Sequence, residues 1–166
     1  DTRNHPKAPT KGVYFQIGSN LAGLGGDVQY VRVQGEGRYY YPITEKITFV
    51  GRAMAGNIQG WGGEDVRLLD LFYKGGETIR GFDRAGLGPR DLLTGDALGG
   101  ATYWSTTAEV RFPLPLLSED LGMSGAFFVD AGSVFGAGAG ATALNNQCVG
   151  KDQTKGICLA DDATVR

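Results

Sequence analysis

Three groups of residues in this sequence could do chemistry. They are a single histidine, a pair of cysteines, and an arginine set among glycines in Gly75-Gly76-Glu77-Thr78-Ile79-Arg80-Gly81-Phe82, with the carboxylates Glu109 and Asp130 downstream. The histidine, His5, stands beside Pro6, so a multi-histidine metal site cannot be built and a Ser-His-Asp triad would depend on this one residue. Cys148 and Cys158 have nine residues between them. Their neighbours Gly150, Lys151, Asp152 and Gln153 make no convincing metal set, which leaves a disulfide closing a loop or two reduced thiols. The run Gly136-Ala-Gly-Ala-Gly-Ala141 fits a loose dinucleotide fingerprint, but no helical period follows in Thr142-Ala-Leu-Asn-Asn146, so it reads as loop. The arginine is different. A guanidinium offers five donors in a rigid fork, and two carboxylates offer matching acceptors, so Arg80 could pin a loop to a wall carrying Glu109 and Asp130. The alternative is an exposed surface pair worth about 0–1 kcal/mol. Either way the chemistry is recognition: the chain reads as no enzyme, with no cofactor and no metal. Its net charge of −2, from 16 basic and 18 acidic residues, is too balanced for a general nucleic-acid binder.

The elements that must position these residues are strands. No run approaches the roughly 18 apolar residues of a membrane helix, whereas a membrane strand needs only about 9–11 with alternating polarity. Val13, Phe15, Ile17 and Leu21 alternate with Tyr14, Gln16, Gly18 and Asn20. After the glycine-rich turn at 23–26, Val31, Val33, Tyr39 and Tyr41 oppose Arg32, Gln34, Glu36 and Arg38; then Ile47, Phe49, Ala53 and Ala55 oppose Lys46, Thr48, Arg52 and Met54. The pattern weakens after Ala55. A fourth strand sets Trp104, Thr106, Ala108, Val110 and Phe112 against Tyr103, Thr107, Glu109 and Arg111, and a fifth sets Met123, Phe127, Val129 and Ala131 against Ser124, Phe128 and Asp130. Glu109 and Asp130 thus fall on polar faces. Residues 163–166 could begin a sixth strand.

The connections are unequal. Residues 57–100 form a 44-residue glycine-rich insertion and 135–162 a second, while the turns at Pro42 and Pro113 are shorter. Long loops at one end and short turns at the other are the habit of outer-membrane barrels. With 28 glycines in 166 residues, tight turns and close backbone approaches are expected. A soluble sandwich accounts for the side-chain alternation about as well. Trp61, Trp104 and Tyr39 to Tyr41 could be interfacial aromatics or ordinary packing.

The core Ile79-Arg80-Gly81-Phe82 closely resembles the Val/Ile-Arg-Gly-Phe signature of the BamA family of outer-membrane assembly factors. The resemblance extends to Asp1-Thr-Arg-Asn4, Pro9-Thr-Lys-Gly12, Tyr39-Tyr-Tyr-Pro42, Phe72-Tyr-Lys-Gly-Gly76, Gly88-Pro89, Asp96-Ala-Leu-Gly-Gly100, Glu109-Val-Arg-Phe-Pro113 and Phe128-Val-Asp-Ala-Gly132. Order and spacing match over nearly the whole chain.

The resemblance implies an all-β fold: an antiparallel segment of a transmembrane β-barrel, about strands nine to thirteen of sixteen. It has a long external loop folded inward, whose signature arginine meets acidic residues of the inner wall. Residues 1–166 would then be part of a C-terminal barrel domain, without the POTRA domains and the first and last strands. Arg80 would meet Glu109 and Asp130, with Phe82 as a supporting anchor. The implied function is assembly and insertion of β-barrel proteins into the bacterial outer membrane. The partners would be unfolded outer-membrane proteins, assembly-complex lipoproteins bound through the POTRA domains, and outer-membrane lipid; the isolated segment could self-associate through its open edges. In an exported protein the Cys148 and Cys158 pair reads as a disulfide. A protein-secretion pore of the same superfamily and an extracellular β-rich interaction module are the other two readings.

Overall fold

A computed structural model describes residues 1–23, 25, 28–63, 65–91, 94–114 and 123–136. Five strands run in chain order: β1 (Gly12–Ala22), β2 (Tyr30–Pro42), β3 (Thr48–Gly60), β4 (Thr102–Pro113) and β5 (Ser124–Phe135). They form one antiparallel sheet in the order β1-β2-β3-β4-β5, each strand paired with its sequence neighbour. Long strands of 11 to 13 residues follow from the sustained period-two patterning, since each strand has one row of side chains for each face.

The register lines up rows of like polarity across the sheet. Phe15 faces Gly37, Gly37 faces Ala53, Ala53 faces Thr106, and Thr106 faces Ala131. All five residues lie on one face, together with Ile17, Val33, Tyr39, Trp104, Phe127 and Val129. From Val13 to Phe135 this face carries no charged residue, yet it is open: Phe15 is 67% exposed, Ile17 68% and Phe127 75%. A sandwich would bury such a row under a second sheet; the described residues hold only one.

The other face is polar at its centre and covered by the long loop. The core sits between that face and the loop: Ile58 of β3, Tyr103 of β4 and Val134 of β5 pack with Leu71 and Phe72 of the loop, all at 5% exposure or less. Burying each aliphatic or phenylalanine side chain is worth about 1.5–3 kcal/mol, so this cluster alone favours a docked loop.

β3 continues to Gly60, five residues past the point where the alternation weakens, and the loop therefore occupies 61–101 where 57–100 was expected. The physical reason is an inversion of polarity. Toward its end β3 turns Ile58 to the loop and Asn57 and Gln59 to the open face, opposite to the pattern of its first half. The expected sixth strand and most of the 135–162 insertion, with Cys148 and Cys158, lie outside the described residues.

Candidate loop-docking site

The site is built from a wall and a hairpin laid upon it. On the wall, Glu36 accepts from Arg38 Nε at 2.5 Å and Arg52 Nε at 2.8 Å, and Glu109 accepts from Arg111 Nε at 2.6 Å. These are cross-strand and same-strand pairs on the loop-bearing face, as period two requires. The loop first pairs with itself: Phe72 exchanges both backbone hydrogen bonds with Gly100, at 2.9 and 3.0 Å, and the Leu87 N–H donates to the Lys74 carbonyl at 3.0 Å. Beyond that pairing the hairpin closes through the Gly76 N–H on the Asp83 carbonyl, 3.1 Å, and a helical turn in which the Ile79 N–H donates to Gly75 O, 2.9 Å. Gly81 turns the chain with φ +91°, a left-handed conformation that side chains disfavour.

That turn carries Arg80 to the wall. Its Nε donates to Asp130 Oδ2 at 2.8 Å and Nη2 to Asp130 Oδ1 at 2.9 Å, a bidentate fork, while Nη1 donates to Glu109 Oε2 at 2.6 Å. The backbone N–H of Arg80 adds a fourth bond to Asp130 Oδ2 at 3.0 Å. The guanidinium carbon also lies 3.5 Å from the centroid of the Phe128 ring. The Asp130 carboxylate, then Glu109, hold the Arg80 guanidinium above its already high range, so it is charged at every relevant pH. Asp130 is 4% exposed at its side chain and Glu109 12%, against 38% for Arg80. The acceptors are more deeply set than the donor. Glu109 is shared between Arg80 and Arg111, which neutralises its second oxygen.

Residues 1–154 match the Omp85 superfamily domain. The chain belongs to the Omp85 superfamily. Among curated relatives of this Omp85 chain, the outer membrane protein assembly factor BamA of Neorickettsia risticii is 36% identical over 129 residues, 77% of this chain and 17% of that protein. The sorting and assembly machinery component 50 homolog of Mus musculus is 31% identical over 140 residues, 81% of this chain and 29% of the relative. Among solved structures, BamA from Haemophilus ducreyi lacking POTRA domains 1-3 superposes with a TM-score of 0.76 at 24% identity, covering 82% of this chain and 28% of that one. That structural likeness carries the fold, and with the sequence relatives it bears out the resemblance to the BamA family. This Omp85 chain spans less than a third of the length of these relatives.

In the Omp85 fold described here, the structure brings together Arg80, Glu109 and Asp130. Ile79 is buried at 3%, seated where Gly132 of β5 has no side chain: a Cβ there would lie 2.6 Å from both Ile79 Cδ1 and the Trp104 carbonyl oxygen. Phe82 differs from expectation. It is 50% exposed, where a packed anchor was expected. The buried loop aromatic is instead Phe72, 1% exposed, packed edge-on to Tyr103 at 4.7 Å between ring centroids. Sequence reasoning missed Phe72, Tyr103 and Phe128 as site residues. The signal that could have found the first two is Gly56: a Cβ there would fall 2.4 Å from the Tyr103 ring and 3.1 Å from that of Phe72. A glycine in a strand marks a close approach.

Proposed function

We propose that this segment supplies barrel wall and a lumen-bracing loop to a protein that assembles and inserts β-barrel proteins in the bacterial outer membrane. The observation that carries the reading is the fork of Arg80 on Asp130, which ties residues 50 positions apart and holds the loop against the polar face of the sheet. The uncharged, exposed row on the opposite face is suited to lipid, and the polar face to a lumen. Membership in the superfamily and the names of the relatives, assembly factors among them, support the proposed activity.

In this reading the five strands are about strands nine to thirteen of sixteen. The partners are unfolded outer-membrane proteins, lipoproteins docked through POTRA domains, and the bilayer. The protein works by binding and templating, without nucleotide or metal. Substrate strands would pair by β-augmentation at a seam between the first and last barrel strands. Cys148 and Cys158 would staple the second external loop. The test is depletion of the full-length protein: folded outer-membrane barrels, resolved from unfolded ones by their heat-dependent gel mobility, should decline together. Normal barrel levels with loss of one exported passenger would overturn it in favour of a secretion pore.

A further inference from the structure

The Arg80 clamp touches only the tip of the loop. Its root is held by different chemistry and different residues. The Arg32 guanidinium carbon of β2 lies 4.3 Å from the centroid of the Phe72 ring; Phe72 meets Tyr103 of β4 edge-on; and the Lys74 ammonium lies 4.4 Å from the centroid of the Tyr103 ring. A cation of the wall rests on a ring of the loop, and a cation of the loop rests on a ring of the wall. Neither the Arg32 guanidinium nor the Lys74 ammonium has a hydrogen-bond or ion-pair partner among the described residues, and the buried Arg32 Nε is unsatisfied there. The ring faces are therefore what these charges meet in place of carboxylates.

Between tip and root the loop is bounded by glycines. Gly75 and Gly76 stand on one arm and Gly86 and Gly88 on the other, with the Lys74 and Leu87 pairing at the same level. The residues beneath the two parts do not overlap: Glu109, Asp130 and Gly132 under the tip, and Arg32, Gly56, Ile58 and Tyr103 under the root.

We propose that the loop is held by two separable latches, the arginine fork at the tip and the stack of Arg32, Phe72 and Tyr103 at the root, so that the tip opens about its flanking glycines while the root stays docked. Arg32 is then a positioning residue: it acts on the tip only by fixing the base from which the hairpin projects. This does not depend on the assembly reading, since it concerns how the loop is attached and not what moves it.

Hydrogen exchange of the full-length protein in lipid nanodiscs tests it, because backbone amides report each latch separately. The Ile79 and Arg80 amides report the tip, and the mutually paired Phe72 and Gly100 amides report the root. Arg80→Ala should speed exchange at 79 and 80 by at least about tenfold and leave 72 and 100 within twofold. Arg32→Met, which keeps length and apolar contact but removes the charge, should speed 72 and 100 by about fivefold, and Arg32→Lys should restore them. As a second pair, Phe72→Leu should behave as Arg32→Met does, and Phe72→Tyr should not. If Arg80→Ala frees tip and root alike, the loop is one unit and the proposal fails. If Arg32→Met and Arg32→Lys are indistinguishable, packing alone holds the root and the stack has no positioning role.

Discussion

Replacing Arg80 by alanine removes three of its four hydrogen bonds and leaves the backbone N–H on Asp130 as the last contact. Glu109 keeps Arg111, so the carboxylate left without a cation is Asp130, whose side chain is 4% exposed. Breaking a fully buried pair in this way costs about 3–5 kcal/mol. Arg80 itself is 38% exposed, and discounting for that screening brings the expected cost of tip docking to about 2–3 kcal/mol. The opening equilibrium of the tip should rise about 30- to 140-fold. Arg80→Lys keeps the charge but not the fork, and should lose about 1–2 kcal/mol of that. A double-mutant cycle of Arg80→Ala with Asp130→Ala, read from the exchange of the Ile79 amide, should give a coupling of about 2 kcal/mol. With the variant as sole copy, folded outer-membrane proteins should fall while the barrel's own heat-resistant mobility is unchanged. A coupling below about 0.5 kcal/mol, the level of an exposed surface pair, would refute the bracing argument.

Four further outcomes are expected. Gly132→Ala puts a methyl 2.6 Å from the rigid Trp104 carbonyl and from Ile79, and should weaken tip docking by about 1–3 kcal/mol, seen as loss of protection at Ile79. Burial, then the charges of Arg32 and Arg52, push the Lys74 ammonium below its ordinary 10.5, so the docked root binds the proton less tightly than the free loop. Root docking should therefore strengthen as pH rises through the lowered value toward 10.5, and Lys74→Met should abolish that slope in the pH dependence of protection at Phe72. Ala53→Arg, at the centre of the uncharged face, should destabilise the full-length protein in bilayers by about 2–4 kcal/mol in equilibrium unfolding, and Gln16→Arg on the polar face by less than about 1. Peptide mapping without reductant should recover Cys148 and Cys158 as one crosslinked species, and two separately alkylated peptides would exclude the staple.

The strands were legible because period-two alternation is a local property, and each row from Val13 to Ala131 lies on the face assigned to it. The end of β3 was not. Its inner residue, Ile58, is apolar only because a loop more than ten residues away covers it, and the alternation of Asn57, Ile58 and Gln59 therefore runs in the reverse sense. The positions of Glu109 and Asp130 followed from faces, and their encounter with Arg80 was suggested by the family motif. Periodicity placed Tyr103 on the face of Glu109 but gave no sign of its contact with Phe72, to which nothing periodic pointed. Contacts made between a loop and a wall leave no repeat in the sequence, and the glycines that receive them, Gly56 and Gly132, look locally like weak points of a strand.

The placement of Asp130 and Gly132 also sets an order of events. Both lie on β5, downstream of the hairpin that they receive, and Asp130 is 50 residues beyond Arg80. The hairpin emerges before its seat exists, and closing so long a stretch must wait until β4 and β5 have paired. A seated tip therefore certifies that the wall is complete through β5. While this wall is itself being inserted, Arg80 is without its Asp130 partner in every chain whose fifth strand has not yet arrived, and a protease or ligand that reaches it would favour those chains.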